Sequence, residues 1–163
     1  MDILKIFGRQ KITKKYALAI LYPNKIVIDT LDKVKAGFNT VSANPTILNT
    51  DSENQLLGRT VREHLELTKH NLNNPSQAEL KVEQENFLKA YGFKTLKSYH
   101  ANAKYLSITE QDQEIIIEPT KNGGSTGKER GFSYGLGKSI SIEKNIKDEE
   151  LGKLIKETWQ KCI

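Results

Sequence analysis

Leu151, Leu154, Ile155, Trp159 and Cys162 recur at spacings of three and four, so a helix of 3.6 residues per turn lines them along one face. Such a stripe has to bury itself against another element, and lysines and glutamates fill the opposite side. Asn145 or Asp148 is placed to cap the start of this helix. Asp148, Glu149 and Glu150 put negative charge at the positive end of its dipole, and Lys153, Lys156 and Lys161 follow further along. Just upstream, Gly131-Phe132-Ser133-Tyr134 reads as a Gly/aromatic turn and Ser139 to Glu143 as a short alternating strand. The segment 131–162 therefore sets an architecture and supplies no catalytic group.

The rest of the chain divides by period. Tyr16 to Tyr22 is an apolar run stopped by Pro23-Asn24, and Lys25 to Leu31 is β-branched and alternating, so the two form an antiparallel hairpin. Gly37 to Asn49 is turn-rich, broken at Asn44-Pro45, with a short extended piece at Thr46 to Leu48. From Asp51 or Ser52, Leu57, Val61 and Leu65 recur every fourth residue with Leu56 beside them, which predicts an amphipathic helix ending by Asn71 to Asn74. Pro75 precedes a second helix from about Ser76, in which Leu80, Phe87, Leu88 and Tyr91 share a face and Gly92 is the stop. Beyond it the period approaches two, and Thr95–His100, Ala103–Thr109 and Glu114–Pro119 read as a strand meander. Lys121 to Arg130 (KNGGSTGKER) is too glycine-rich and charged to pack and reads as an exposed flexible loop. The element order gives an α+β fold, a mainly antiparallel sheet packed with about three helices, as one domain over residues 1–163.

Charge and composition exclude several classes. No apolar run approaches the ~20 residues that span a bilayer. The opening MDILKIFGRQKITKK lacks the continuous apolar core and cleavage site of a signal peptide, so a cytoplasmic location is expected. The one cysteine, Cys162, cannot form an internal disulfide, and on an apolar stripe it reads as a small core residue. Residues 1–50 hold eight Lys/Arg against three Asp/Glu, while residues 51–163 hold 17 of each, so the whole net charge of +5 is concentrated early in the chain. A basic surface can attract an acidic partner or nucleic acid. Lys11, Lys14 and Lys15 flank a strand without interleaved aromatics, however, and read as a solvated basic edge that opposes aggregation.

Chemistry-bearing motifs fail on detail. Gly123-Gly124-Ser125-Thr126-Gly127-Lys128 approaches a phosphate loop, but Asn122 stands where the first glycine is needed and Glu129 replaces the Ser/Thr that would hold a metal. Gly135-Leu136-Gly137 has Ile140 where a dinucleotide fingerprint needs glycine. His64, His70 and His100 are too scattered for a zinc set and have no sequence-local nucleophile. The expectation is a protein with no cofactor, no metal and no enzymatic activity. Arg130, Tyr134 and Lys138 are candidates for a recognition patch, since Tyr and Arg bring contact area and directional hydrogen bonds; shaping the turn is an equal reading for Tyr134, and Phe132 is assigned to the core.

The Gly131-Phe132-Ser133-Tyr134 turn, the strand Ser139 to Glu143, the helix start Asn145-x-x-Asp148-x-x-Leu151-Gly152 and the terminal Cys162 resemble the C-terminal end of CdiI immunity proteins of contact-dependent growth inhibition systems. The resemblance implies a cytoplasmic protein that binds and neutralises the C-terminal toxin domain of a CdiA-type effector, often a nuclease. Two routes are physically open: addition of a toxin strand to a sheet edge, or plugging of the toxin's cleft by side chains. A basic chain is poorly suited to mimicking nucleic acid in front of a nuclease. The competing reading is a small basic nucleic-acid-binding domain.

Overall fold

The structure, a computed structural model, describes residues 13–163; Lys11 and most of the opening segment lie outside them. β1 (Lys15–Leu21) and β2 (Ile26–Lys33) form the expected hairpin, closed by the Tyr22 N–H donating to the Lys25 carbonyl at 2.9 Å across Pro23-Asn24. β1 also pairs along its other side with β5 (Lys104–Gln111), which leads through a hairpin to β6 (Glu114–Pro119) and then laterally to β9 (Ile140–Glu143). On the far side β2 is flanked by two short strands, β3 (Asn39–Val41) and β4 (Thr46–Leu48), which share its outer edge. The order is β3-β2-β1-β5-β6-β9, antiparallel at every pairing, with β4 beside β3.

Strand alternation sends side chains to two faces, and each face meets its own helices. On one, Ala17, Ala19, Ile28, Ile108, Ile115 and Ile117 pack under α1 (Asn54–Glu66) and α4 (Asp148–Trp159). Trp159 lies at the centre of this core, 1% exposed, and donates its indole N–H to the Ala19 carbonyl at 3.2 Å. On the other, Leu18, Ile20, Val27, Leu31 and Tyr105 pack under α2 (Gln77–Tyr91) and α3 (Leu96–His100), through an aromatic cluster of Phe87, Tyr91, Phe93 and Tyr99. An α+β fold with a mainly antiparallel sheet is what the sequence periods describe.

Several boundaries differ, each for a physical reason. Thr95–His100 is helix, not strand: the Thr95 hydroxyl accepts from the Ser98 N–H and the Ser98 side chain bonds back to the Thr95 N–H, a capping box that starts a turn of helix. α1 stops at Glu66 because residues after it turn to pair with β2: the Lys69 N–H donates to the Asp32 carboxylate at 2.8 Å and Leu72 bonds Lys33. α4 is capped by neither Asn145 nor Asp148. Lys147 occupies the N-cap, and the Asp148 carboxylate instead accepts from Arg62 Nε at 2.7 Å, joining the two helices.

β1 is not an edge. Lying between β2 and β5, it places Lys15 in ion pairs with Glu66 at 2.6 Å and Glu110 at 3.3 Å, while Lys14 stays exposed. Burial works against the charge on Lys15, but the two carboxylates outweigh it and raise its pKa. Nor is Lys121 to Arg130 wholly a free loop. β7 (Lys121–Asn122) pairs with β8 (Phe132–Ser133), and Asn122 donates its side-chain amide to the carbonyls of His100 and Ala103 at 2.7 and 3.0 Å.

Candidate partner-binding surface

The chain from β8 to β9 begins on an aromatic anchor. Phe132 stacks on Tyr105 with ring centroids 4.8 Å apart and planes 21° from parallel, and it also meets His100 at 4.7 Å. Half-buried against the second core cluster, Phe132 has the packing role its position predicts. Gly135 (φ +88°) and Gly137 (φ +68°) then take left-handed backbone conformations that an L side chain rarely adopts, which turn the chain towards β9.

Tyr134 stands between these features with 53% of its surface exposed. Its hydroxyl end lies beside Tyr105 and Ser107 of β5. Burial of that end raises its pKa, the Tyr105 bond opposes the rise, and the negative charge of Glu118 adds to it. The phenol therefore stays protonated, and about half of the residue's surface remains exposed. Arg130 is exposed and donates only to its own loop, at the Gly127 carbonyl (3.4 Å); Lys138 is exposed at the approach to β9. Among the described residues no hydrogen bond or ring contact joins Arg130, Tyr134 and Lys138 to one another. They share an excursion, and of the three Tyr134 is the one that lies against β5.

That contact places Tyr134 beside a sheet surface that no sequence motif marks. Register puts Ser107 and Thr109 of β5, Ile116 and Glu118 of β6, and Ser141 of β9 on the same face as Leu18 of β1. The α2–α3 layer covers the β1–β2 side of this face and leaves the β6–β9 side uncovered: Ile116 and Glu118 are half-buried, and Glu114, Ser141 and Glu143 exposed. Alternation within Glu114–Pro119 carries the signal, since Ile115 and Ile117 point into the core and Glu114 and Glu118 away from it. β9 is also an end of the sheet, paired on one side by β6 alone among the described residues.

Among the described residues the three histidines and the cysteine each lie against other parts of the fold, and His100 Nδ1 is buried without a hydrogen-bond partner. His64 is buried with both ring nitrogens occupied, Nδ1 with Thr30 Oγ1 at 3.0 Å and Nε2 with Thr46 Oγ1 at 2.8 Å. Because the Thr30 hydroxyl donates to the His64 carbonyl at 2.8 Å, it accepts from Nδ1–H, which leaves Nε2 to accept from Thr46. Burial lowers the pKa of His64 and keeps this neutral tautomer. His70 bonds the Lys14 carbonyl, and His100 sits against Phe132 with its pKa lowered by burial. Burial raises the pKa of Cys162, so it remains a thiol, with Sγ 3.5 Å from the Tyr105 carbonyl. Among the described residues no group of three or more His, Cys, Asp or Glu side chains could hold a metal, and no helix is long and apolar enough to cross a membrane.

The main antiparallel sheet is clad by helix pairs on both faces, with the small β7–β8 ribbon beside it, and one part of its surface stays uncovered next to the aromatic turn. The solved structures that share this fold include two that match over most of both chains. A Neisseria meningitidis protein of unknown function superposes with a TM-score of 0.80 at 16% identity, covering 93% of this chain and 96% of that one. A chain of the CdiA-CT/CdiI toxin and immunity complex from Yersinia pseudotuberculosis superposes with a TM-score of 0.76 at 16% identity, covering 93% and 99%. No curated protein matches. The sequence profile of CdiI, the CDI immunity protein family, matches residues 15–162, and the chain belongs to that family.

Proposed function

We propose that this chain binds the C-terminal toxin domain of its cognate CdiA-type effector in the cytoplasm and neutralises it by covering the active site or the approach of substrate. The family match over residues 15–162 carries this reading, and the likeness in fold to a chain of a toxin and immunity complex supports it. A nuclease is the toxin class the family resemblance suggests.

Both routes have a structural basis. β9 offers an edge to which a toxin strand can add, and the turn carrying Arg130, Tyr134 and Lys138 offers a ring and two cations beside it. The nucleic-acid reading loses support because Lys15 is held by two carboxylates, Lys25 lies 4.2 Å from the Phe93 ring centroid, and Lys33 lies 5.1 Å from that of Tyr16. These cations are engaged internally. Titration calorimetry with the neighbouring effector's C-terminal domain is expected to give about nanomolar or tighter binding. Absence of binding would remove the proposal.

A further inference from the structure

The immunity reading leaves open what kind of toxin surface is recognised. We propose that the uncovered face of β6 and β9 receives a cationic polypeptide segment of the toxin domain, with Glu114 and Glu143 together holding one lysine or arginine and Glu118 holding a second.

Glu114 and Glu143 are directly opposite in the β6–β9 ladder, both exposed and on the same face. Like charges in that position oppose strand pairing. The fold gives its other sheet acids partners: Glu110 lies within 3.3 Å of Lys15 and 3.0 Å of Lys144, Asp29 accepts hydrogen bonds from Tyr91 and Ser42, and Asp32 accepts one from the Lys69 N–H. Glu114, Glu118 and Glu143 have no ion-pair partner among the described residues, and Glu118 receives only the Gly135 N–H at 3.3 Å. A partner bringing positive charge would relieve the Glu114–Glu143 repulsion on docking.

Spacing favours an extended segment. Four residues along a strand separate Glu114 from Glu118 by about 13 Å, the reach between cationic side chains four apart on another extended chain. Ile116 lies between them, flanked by Thr109 and Ser141, and the exposed ring of Tyr134 borders the Glu118 end. The result is an apolar centre with charge at both ends. Lys33, over the Tyr16 ring, marks the opposite side of the same face. With Arg130 and Lys138 on the flanking turn, the change of sign fixes the orientation of a charged partner. Phosphate-bearing ligands are repelled from this strip, and the net charge of +5 conceals it.

The proposal rests on the immunity reading, and one experiment separates the two. The full chain is titrated with the cognate CdiA C-terminal domain at low and high salt, as the native protein and as Glu118→Lys, Glu143→Lys and, on the exposed side of α2, Glu85→Lys. Each of the first two reversals is expected to weaken binding roughly tenfold or more and to flatten its salt dependence, with Glu85→Lys near native. Glu143→Lys is also expected to raise the melting temperature, because it turns the repulsion with Glu114 into attraction. Loss of affinity with gain of stability is a pairing that a merely structural role does not produce. Native binding left unchanged by both reversals overturns the cationic-segment proposal and leaves the immunity reading standing. Weaker binding accompanied by a lower melting temperature in Glu143→Lys also overturns it. A native protein that binds nothing overturns both.

Discussion

Gly152 of α4 lies directly against the main chain of Asn54 in α1: a Cβ added at 152 would come within 1.9 Å of the Asn54 carbonyl oxygen. The contact is reciprocal one turn away, where a Cβ at Gly58 would lie 1.9 Å from the Asp148 carbonyl oxygen. Two glycines four residues from the neighbouring contact on each helix let the backbones touch. Arg62 then closes the junction, donating to Asp148 and to the Lys144 and Ile146 carbonyls.

Gly152→Ala sets two effects against each other. Alanine gains about 1 kcal/mol of helix propensity over glycine. Overpacking against unyielding backbone costs about 1–3 kcal/mol or more. At 1.9 Å from main-chain atoms the second effect wins, so Gly152→Ala and Gly58→Ala are each expected to lower the urea midpoint. A rise in either midpoint would contradict the close helix contact.

A buried carboxylate gives a second stability prediction. Asp29, fully buried, accepts from the Tyr91 hydroxyl at 2.7 Å, the Ser42 hydroxyl at 2.5 Å and the Thr30 N–H at 2.7 Å. Tyr91→Phe keeps the ring but leaves one carboxylate oxygen short of its donor. A loss of about 1–3 kcal/mol is expected by denaturant unfolding, while Val82→Ala on the exposed side of α2 should be near neutral.

Acid should weaken the fold through His64. Its pKa is lowered in the folded state by burial, against a usual value near 6.5, so folding favours the neutral ring. The stability is fully present above about pH 6.5 and is lost as pH falls through the lower folded-state pKa, because the unfolded chain then binds the proton more readily. His100, shifted the same way by burial, adds to the slope. Urea midpoints measured from pH 8 to 5 should fall, and a His64→Gln variant should show a shallower fall; an identical slope would assign the acid sensitivity elsewhere.

Tyr134 separates anchor from rim at the proposed interface. Tyr134→Ala is expected to weaken toxin binding by roughly tenfold or more, mainly through faster dissociation, and Tyr134→Phe, which keeps the ring, to bind near native. Arg130→Ala and Lys138→Ala, at exposed sites, should act mostly on association rate and its salt dependence. Surface-based kinetics showing native dissociation for Tyr134→Ala would move the interface off this turn.

What the sequence discloses follows from the range of the interactions involved. The β1–β2 hairpin and the apolar faces of α1 and α4 are local patterns, and they are legible from Pro23-Asn24 and from Leu151, Ile155 and Trp159. The reading of Thr95–His100 as strand lost to Thr95 and Ser98, a short capping signal inside a stretch whose alternation was incidental. Gly152 stands within the recognisable helix start, yet its reason for being glycine lies with Asn54, nearly a hundred residues away. The surface is harder still. Glu114, Glu118 and Glu143 become one strip only through strand register, and whole-chain charge points the opposite way.

The most direct test is growth. Cells producing the cognate CdiA C-terminal domain in their cytoplasm are followed with and without this chain expressed alongside it. The account predicts arrest without the chain and sustained growth with it, together with co-purification of the two proteins as one complex. Arrest that persists despite abundant, folded protein would contradict it.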